Sequence, residues 1–444
     1  MLETFRKLWK IKDLQKKVLY TFLMLLIYRL VGVIPAPGID VSRLNESNNF
    51  MQLPLLNMMQ MMTGNAFGQM TIMAMGITPY INASIIMQLL AVAFPSLQRM
   101  QEEEGGQEKM ARITRYVTVG LAVFQAIGLS RAGGYVRSGW YNTVLVGLSM
   151  DDGSAYTGVA MVFQAIVIIL CFTAGTALIM WLGEQINDKG IGNGISLLIF
   201  AGIVSNLFNG ITGNIYTAVA NGTTTAWLSV LVILLMLVVM TFAVTYVDLG
   251  ERRIPLQISK QVKGRRVYGG QNTHMTLKVV SVGVLPLIFA YSLLAFPGTI
   301  GALVAPNSGF TAWCNAYLSS GSWVYMILSA LLIVGFTFFY SSISFDPNKQ
   351  AKQLMEQGAT IPGQRGKNIR DYLARTTNRL NLFAALFLAV LAVVPTLLTS
   401  WVTNLPFAAS SILIAVSVSL ETMRTVEGEL SIRGIETDKD NGFM

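Results

Sequence analysis

Long runs of apolar residues, separated by polar stretches, dominate this chain of 444 residues. A helix needs roughly 20 mainly apolar residues to cross a hydrocarbon layer about 30 Å thick. The shortest run that we accept, 195–212, is interrupted by glycine but has polar neighbours at both ends. We predict ten transmembrane helices, at 18–36, 76–95, 113–130, 156–182, 195–212, 226–247, 277–297, 323–341, 380–400 and 406–423.

The overall composition agrees that lipid surrounds most of the chain. Hydrophobic residues make up 53% of it and charged residues only 12%, against roughly 25% charged residues in soluble domains. A membrane β-barrel would instead show alternating strands of about 10 residues. Runs such as Trp227–Val247 are continuous and much longer. The pattern therefore predicts an all-α membrane protein.

The positive charges are distributed unevenly between the two sides of the membrane. With loops assigned alternately, 28 of the 32 Lys and Arg residues fall on the side of the amino terminus. Arg43, Arg131 and Arg137 fall on the opposite side, and Arg29 lies inside the first span. Such a bias predicts that both termini are cytoplasmic. We expect no cleavable signal, because the first apolar run is long enough to span.

An internal repeat divides the ten spans into two sets of five. Gly, Pro, Ile and Ala recur at the same offsets in Gly76–Ala83 of span two and Gly283–Ala290 of span seven. A match this short can also arise by chance in apolar sequence. Because five is odd, a repeated half must be inverted, which places function between the halves near the midplane. We predict inverted five-helix halves at 1–213 and 214–444.

Three connections are long enough to carry structure of their own. The stretches 248–276 and 342–379 are polar, basic and predicted to be cytoplasmic. The outer stretch 37–75 contains the apolar, Met-rich segment Leu55–Met62 before Gly64. That segment is too short to span, so it is predicted to be re-entrant or interfacial.

Motifs for enzymatic chemistry are absent from the sequence. It contains no Walker-type phosphate loop, zinc-protease helix or nucleophile-elbow serine. His274 lacks Cys or acidic neighbours at ligand spacing, and Cys171 and Cys314 suggest no disulfide. We therefore expect no catalytic residue, no cofactor and no metal site.

Two other classes of membrane protein stay open at this point. A secondary solute transporter with inverted repeats would fit the span count, although such carriers normally bury carboxylates for ion binding. None of the ten spans has Asp or Glu in its central part. A structural scaffold without a pore would also fit. The intramembrane Arg29 is either functional, as charges there often are, or a structural residue that satisfies neighbouring carbonyls.

Isoleucines recur at helical spacing in both halves. Ile77 and Ile81 lie four residues apart in span two, and Ile195 and Ile199 repeat the spacing in span five. Further isoleucines in spans seven and ten, which correspond to two and five, are Ile288 and Ile414. They are either ordinary packing residues or a narrow ring that blocks ions by dewetting.

Several motifs, in order along the whole chain, resemble those of the SecY family. They are Gly76–Leu90, Trp181–Ser196, Gly264–His274, Ser344–Pro347 and Ile361–Arg365. The resemblance implies two inverted halves that form a clamshell around a central hourglass pore.

The resemblance also implies functional residues. It assigns the pore ring to Ile77, Ile81, Ile195, Ile199, Ile288 and Ile414. It assigns a plug to 55–68, with Leu55, Leu56, Met58, Met59, Met62 and Gly64. Spans two and three facing seven and eight would form a lateral gate, with Gln88, Gln125 and Asn193 as polar residues near gate or pore. Val280 stands where the family often carries an Asn of the gate.

Partners are implied in the same way. The loop tips with Arg265, Arg266, Tyr268 and Arg365 would bind a SecA motor ATPase and the ribosome, while SecE-type and SecG-type subunits would brace the channel. Signal sequences and nascent polypeptides would pass through it, or into membrane lipid, in a bacterial plasma (inner) membrane. Plain positive-inside anchoring is the alternative for these basic loops, but anchoring needs only a few charges near the helix ends.

Overall fold

The computed structural model of the chain describes the predicted spans and most of their connections. The residues described are 9, 11–37, 63, 66, 68–103, 105–135, 159–222, 224–258, 261–263, 266–268, 272–280, 283, 285–304, 308–318, 322–362, 367–399 and 409–432.

Each predicted span is a helix in the described part of the chain, in the predicted order. These ten helices are α1 Lys12–Val31, α2 Thr78–Ala93, α4 Gly106–Tyr135, α5 Val159–Lys189, α6 Gly194–Asn221, α7 Thr224–Asp248, α8 Leu285–Val304, α10 Trp323–Ser344, α12 Lys367–Thr399 and α13 Ala409–Ile432. Shorter helices between them are α3 Pro95–Glu102, α9 Gly309–Tyr317 and α11 Pro347–Glu356. The prediction of an all-α membrane protein is confirmed.

Length and composition alone single out only some of these helices as spans. Five described segments meet that test, namely Ala165–Lys189, Gly194–Asn221, Ala226–Asp248, Trp323–Glu356 and Ile369–Val394. A sixth would arise if α2 and α3 were one span, but the chain bends by 109° between them. The bend lies at Pro95, after which the sequence turns polar with Gln98 and Arg99. We therefore place α3 at the membrane surface.

The fifth span is longer than the sequence analysis predicted. Instead of ending at 212, α6 continues to Asn221 and stops at Gly222, whose φ is 61°. Thr212, Asn214 and Thr217 donate side-chain hydrogen bonds to carbonyls of their own helix, so these polar residues do not break it. The boundary between halves that we predicted at 213/214 falls inside α6.

The seventh span begins later than predicted. The stretch from 277 was expected to be membrane helix, but α8 starts only at Leu285. Lys278 still belongs to a β-strand, and Val280 lies in the turn that follows it. Val280 is therefore not a residue of the spanning helix. It is buried beside Val244 and Asp248 at the end of α7.

The spans bury one face and leave another open to lipid. Among the described residues, a large apolar cluster draws its buried members from nine of the ten spanning helices, and none of these members lies in α4. On α7, a stripe at helical spacing has side chains exposed by 60–70%, comprising Leu228, Leu231, Leu235, Val238 and Phe242. Apolar residues this exposed indicate that hydrocarbon surrounds this face.

The two long loops fold together outside the spans. Strands β1 (Glu251–Ile258), β4 (Asn272–Lys278) and β5 (Ala359–Thr360) form an antiparallel sheet in the order β4–β1–β5. Strands β2 (Gln261–Lys263) and β3 (Arg266–Tyr268) form a separate hairpin. Because β5 belongs to the second loop, the sheet joins two loops that are far apart in sequence.

A second hydrophobic core holds this sheet to the helices next to it. Its buried members come from β1, β4, α11, β5 with the residue after it, and the start of α12. They are Ile254, Leu256, Leu277, Ala351, Leu354, Ala359, Ile361, Ile369 and Leu373. We call residues 251–278 with 347–373 the sheet module. Its separate core indicates that the two loops form one folded unit.

The first and last spans meet on the side of the sheet module. Leu14 of α1 and Leu430 of α13 are completely buried in one small cluster with Ile191 and Val426. Beside them, Lys17 Nζ lies 2.8 Å from Glu429 Oε1. The amino end of the first span and the carboxyl end of the last therefore lie on the same side, as an even number of spans requires.

The shared core of the sheet module can be tested with Leu354→Ala in α11. The substitution leaves a cavity and costs about 2–4 kcal/mol. We expect faster amide hydrogen exchange in β1 and β4, although both strands belong to the other loop.

The matched control is Lys352→Ala, since Lys352 is exposed on the same helix. Exchange rates in β1 and β4 that stay at wild-type values in Leu354→Ala would mean that the two loops fold independently.

Candidate functional site

The predicted pore-ring isoleucines meet at the centre of the molecule. Ile77, Ile81, Ile199, Ile288 and Ile414 all belong to the large apolar cluster, each exposed by 8% or less. Ile195 is partly buried and packs against the same cluster. They lie in α2, α6, α8 and α13, with Ile77 immediately before α2, so the structure brings together residues up to 337 positions apart. Other buried apolar residues belong to the same cluster. Belonging to the cluster therefore does not by itself show that these isoleucines form a ring.

The repeated motif has the same backbone conformation in both halves. Gly76 and Gly283 have φ values of 58° and 63°, in the left-handed region that favours glycine. Helices α2 and α8 each begin two residues later, with Pro79 or Pro286 as their second residue. Proline is tolerated there because the first turn leaves its N–H groups unpaired. Five residues after each glycine stands an isoleucine of the predicted ring, so Ile81 and Ile288 occupy equivalent positions.

A tight hairpin between α5 and α6 holds the isoleucines of span five. A Cβ on Gly194 would lie 2.1 Å from the carbonyl oxygen of Gly183, so only glycine allows this approach. Asn193 Oδ1 accepts hydrogen bonds from the N–H groups of Ile195 and Ser196, at 3.1 and 3.3 Å. Asn193, predicted as a polar residue of gate or pore, thus caps α6.

The predicted plug lies mostly outside the described residues. Leu55, Leu56, Met58, Met59, Met62 and Gly64 are not described. Thr63 is described and buried, with its methyl group close to Gly76. The chain that follows is attached to the end of α1: Ala36 donates to the Met70 carbonyl at 3.0 Å, and Ile72 to the Ile34 carbonyl at 3.1 Å.

A hydrogen bond connects spans two and eight. The Tyr340 hydroxyl of α10 donates to Oε1 of Gln88 in α2. The Tyr340 ring packs on Phe289 of α8, with centroids 5.1 Å apart. Gln88 also donates from Nε2 to Ser84 Oγ at 3.3 Å. Sequence reasoning identified Gln88 but missed Tyr340, which no spacing or motif distinguished from its aromatic neighbours.

Further contacts join the predicted gate helices of the two halves. Helix α8 packs against both α2 and α4, so the predicted gate helices of the two halves are in contact. Gln125 of α4 has a buried side-chain oxygen with no hydrogen-bond partner among the described residues. An unpaired buried amide oxygen costs free energy. A rearrangement that admits water or a polar chain would give this oxygen a hydrogen-bond partner.

Arg29 takes the structural role that the sequence left open. Its guanidinium donates to the carbonyl oxygen of Ala201 in α6. At the other end of the bundle, Arg424 of α13 donates to the Asp248 carbonyl at 2.7 Å and lies 3.5 Å from its carboxylate. The sequence analysis did not predict this second pair, which joins the ends of spans six and ten.

Two of the predicted docking residues lie in the β2–β3 hairpin. Arg266 and Tyr268 begin and end β3, and their Cα partners in β2 are Lys263 and Gln261. Arg265 and Arg365 lie outside the described residues. Within the described part of the chain, no group of three or more His, Cys, Asp or Glu side chains could hold a metal ion.

Comparisons with known proteins match this chain to one family. A family model described as SecY matches residues 71–423. The protein translocase subunit SecY of Streptomyces griseus is 38% identical, covering 98% of this chain and 99% of that protein. The protein of the same name from Halalkalibacterium halodurans is 38% identical, with coverages of 97% and 98%.

Solved structures agree on the fold. A structure described as that of a protein conducting channel has a TM-score of 0.64 at 20% identity, covering 94% of this chain and 92% of that one. Sec61 in a canine ribosome-channel complex has a TM-score of 0.61 at 18% identity, with the same coverages. At these identities the likeness shows the fold.

The contact between α2 and α10 can be tested with Tyr340→Phe. Loss of the hydroxyl leaves Gln88 without its partner, which should weaken the contact by about 1–2 kcal/mol. We expect spin labels on α2 and α10 to give a broader and longer distance distribution in double electron–electron resonance.

Tyr116→Phe serves as control, because Tyr116 of α4 is 73% exposed. Identical distance distributions for Tyr340→Phe and this control would rule out a holding role for the hydrogen bond.

Proposed function

The chain belongs to the SecY family of protein translocase subunits, and we propose that it passes unfolded secretory polypeptides across the membrane and releases membrane spans sideways into lipid. Its relatives are named as translocase subunits, and proteins of the same fold are described as protein-conducting channels. The chain is therefore a multispanning channel protein. The secondary solute transporter and the scaffold without a pore have no support from these comparisons.

One observation carries the proposal for the closed state. Six isoleucines from equivalent helices of the two halves gather in one apolar cluster. A narrow passage lined by branched aliphatic side chains holds no stable water column and offers an ion no coordination. We propose that Ile77, Ile81, Ile195, Ile199, Ile288 and Ile414 form this seal. The energy for translocation comes from partners, and the chain itself catalyses no reaction.

The lateral gate is proposed at the contact of α2 and α4 with α8 and α10. Its two sides, residues 1–221 and 224–444, correspond to the two halves once the boundary is moved to the turn after α6. A side-chain hydrogen bond from Tyr340 to Gln88 crosses the contact between α2 and α10. Little free energy is lost when lipid replaces the opposite helix at an apolar contact, because lipid tails are as apolar as the side chains. Such an interface can open to lipid at low cost. Residues 55–68 are proposed as the plug.

The sheet module is the proposed docking surface. Solved relatives of this fold include Sec61 in a ribosome-channel complex and an Ssh1 complex bound to the yeast 80S ribosome. We propose that Arg265, Arg266, Tyr268 and Arg365 bind a ribosome and a SecA-type motor on the cytoplasmic face of a bacterial plasma membrane. SecE-type and SecG-type subunits complete the channel.

The seal can be tested by replacing Ile81 and Ile199 with Ser. A hydroxyl at the constriction lets water and ions enter. We expect the resting ion conductance of the purified complex in a planar bilayer to rise severalfold.

The control is Ile233→Ser, because Ile233 is equally buried in the same cluster but is not a ring residue. Unchanged conductance in the double variant, or an equal rise in the control, would exclude the ring assignment.

Docking can be tested by reversing Arg265, Arg266 and Arg365 to Glu. Charge reversal should strongly weaken the binding of a phosphate-rich or acidic partner, and the loss of affinity should be larger at low salt. We expect motor-driven translocation into vesicles to fall about tenfold, which corresponds to about 1.4 kcal/mol, while membrane insertion stays normal.

Arg112→Glu is the control for charge reversal outside the sheet module, since Arg112 is exposed on α4. Wild-type translocation by the triple variant would leave the basic loops with an anchoring role only.

A further inference from the structure

Helix α9 connects spans seven and eight at the end of the bundle away from the sheet module. It runs from Gly309 to Tyr317 and packs against α8 and α10. The Ser322 hydroxyl caps α10 by accepting from the N–H of Tyr325 at 3.3 Å, and it donates to the Tyr317 carbonyl. The end of α9 is thereby fastened to the first turn of α10, so the two helices share one level in the membrane.

One face of α9 carries three large aromatic residues. At 100° per residue, Phe310, Trp313 and Tyr317 fall within an arc of about 60°. They are exposed by 52%, 50% and 47%, whereas Cys314 beside them is exposed by only 2%. The Trp313 and Tyr317 rings contact each other, with centroids 5.6 Å apart. Thus α9 rests on the protein through the side of Cys314 and presents an aromatic face outward.

The first half of α10 carries a further exposed apolar surface. Trp323, Ile327 and Leu331 stand four residues apart in the first half of α10 and are exposed by 71%, 67% and 64%. Trp323 begins that helix, immediately after the residues that fasten α9 to it. The aromatic side chains of α9 therefore stand next to the level at which α10 enters hydrocarbon.

The charge pattern favours membrane lipid, and not a charged protein or nucleic acid, as the partner of the aromatic face of α9. No Asp, Glu, Lys or Arg occurs between Lys278 and Asp346 in the sequence. A surface that binds a charged protein or nucleic acid would normally carry ionic groups at its rim. Tyrosine and tryptophan, by contrast, favour the headgroup region, because each has an apolar ring and one polar atom.

We propose that α9 lies in the lipid–water interface of the membrane leaflet opposite the sheet module. There Phe310, Trp313 and Tyr317 reach below the headgroups, and α9 sets the depth of the adjoining ends of α8 and α10. This contact is with membrane lipid and does not depend on whether the pore conducts polypeptide. It gives one wall of the proposed gate a fixed position in the bilayer.

The test places single nitroxide labels in the full complex, reconstituted into phosphatidylethanolamine–phosphatidylglycerol vesicles. In a variant with both native cysteines replaced, Cys171→Ser and Cys314→Ala, labels are attached at Phe310→Cys or Trp313→Cys. Collision with oxygen, which dissolves in lipid, is compared with collision with a water-soluble nickel chelate. We expect an oxygen-to-nickel ratio about fivefold above that of a water-exposed site.

Two further sites calibrate the measurement. Leu331→Cys reports the hydrocarbon face of α10, and Gln353→Cys reports the water-exposed face of α11. A ratio at 310 and 313 equal to that of Gln353→Cys would place α9 in water and overturn the proposal. Low collision rates with both reagents would mean that protein covers this face, which would overturn it equally. Because the labels report depth and not conductance, a failure here leaves the seal untouched.

Discussion

In hydrocarbon, every backbone N–H and C=O must find its partner within the protein, and the rest of this structure follows from that constraint. It makes helices of the spans and explains why the chain's sheet lies outside them. The same constraint governs the polar side chains of the spans. Thr212 and Thr217 bond to carbonyls of their own helix, and Arg29 bonds to the Ala201 carbonyl of a neighbouring one.

Because helices are satisfied within themselves, the contacts between them are free to be apolar and reversible. The central cluster holds the two halves together through aliphatic side chains, and water is excluded from it without any bond that must be broken. The described exception at the predicted gate is the hydrogen bond from Tyr340 to Gln88. A channel that closes against ions and parts for a peptide would benefit from this division, in which apolar packing would form the proposed seal and the contact of Tyr340 with Gln88 would hold the proposed gate.

Contacts also join the sheet module to that gate. Leu373 of α12 is completely buried in the module's core, and further along the same helix Asn381 donates to Ser341 of α10. Ser341 is the neighbour of Tyr340, whose hydroxyl reaches Gln88. A partner that displaces the module can therefore act on the gate through two helices. On the opposite side of the membrane, α9 would hold the same wall at a constant depth.

The sequence by itself determined the class, the order of the ten spans and the equivalence of Gly76 with Gly283, because apolar runs and glycine conformations are local properties. It also carried the signal of the sheet, since Ile254 and Leu256 alternate as in a strand with one buried face, although the loop was read only as basic. The late start of α8, which follows a paired strand, and the partner of Gln88 depended on tertiary contacts. The isoleucines of four helices became one cluster only in three dimensions, because spacing along a helix defines a face but not what that face meets.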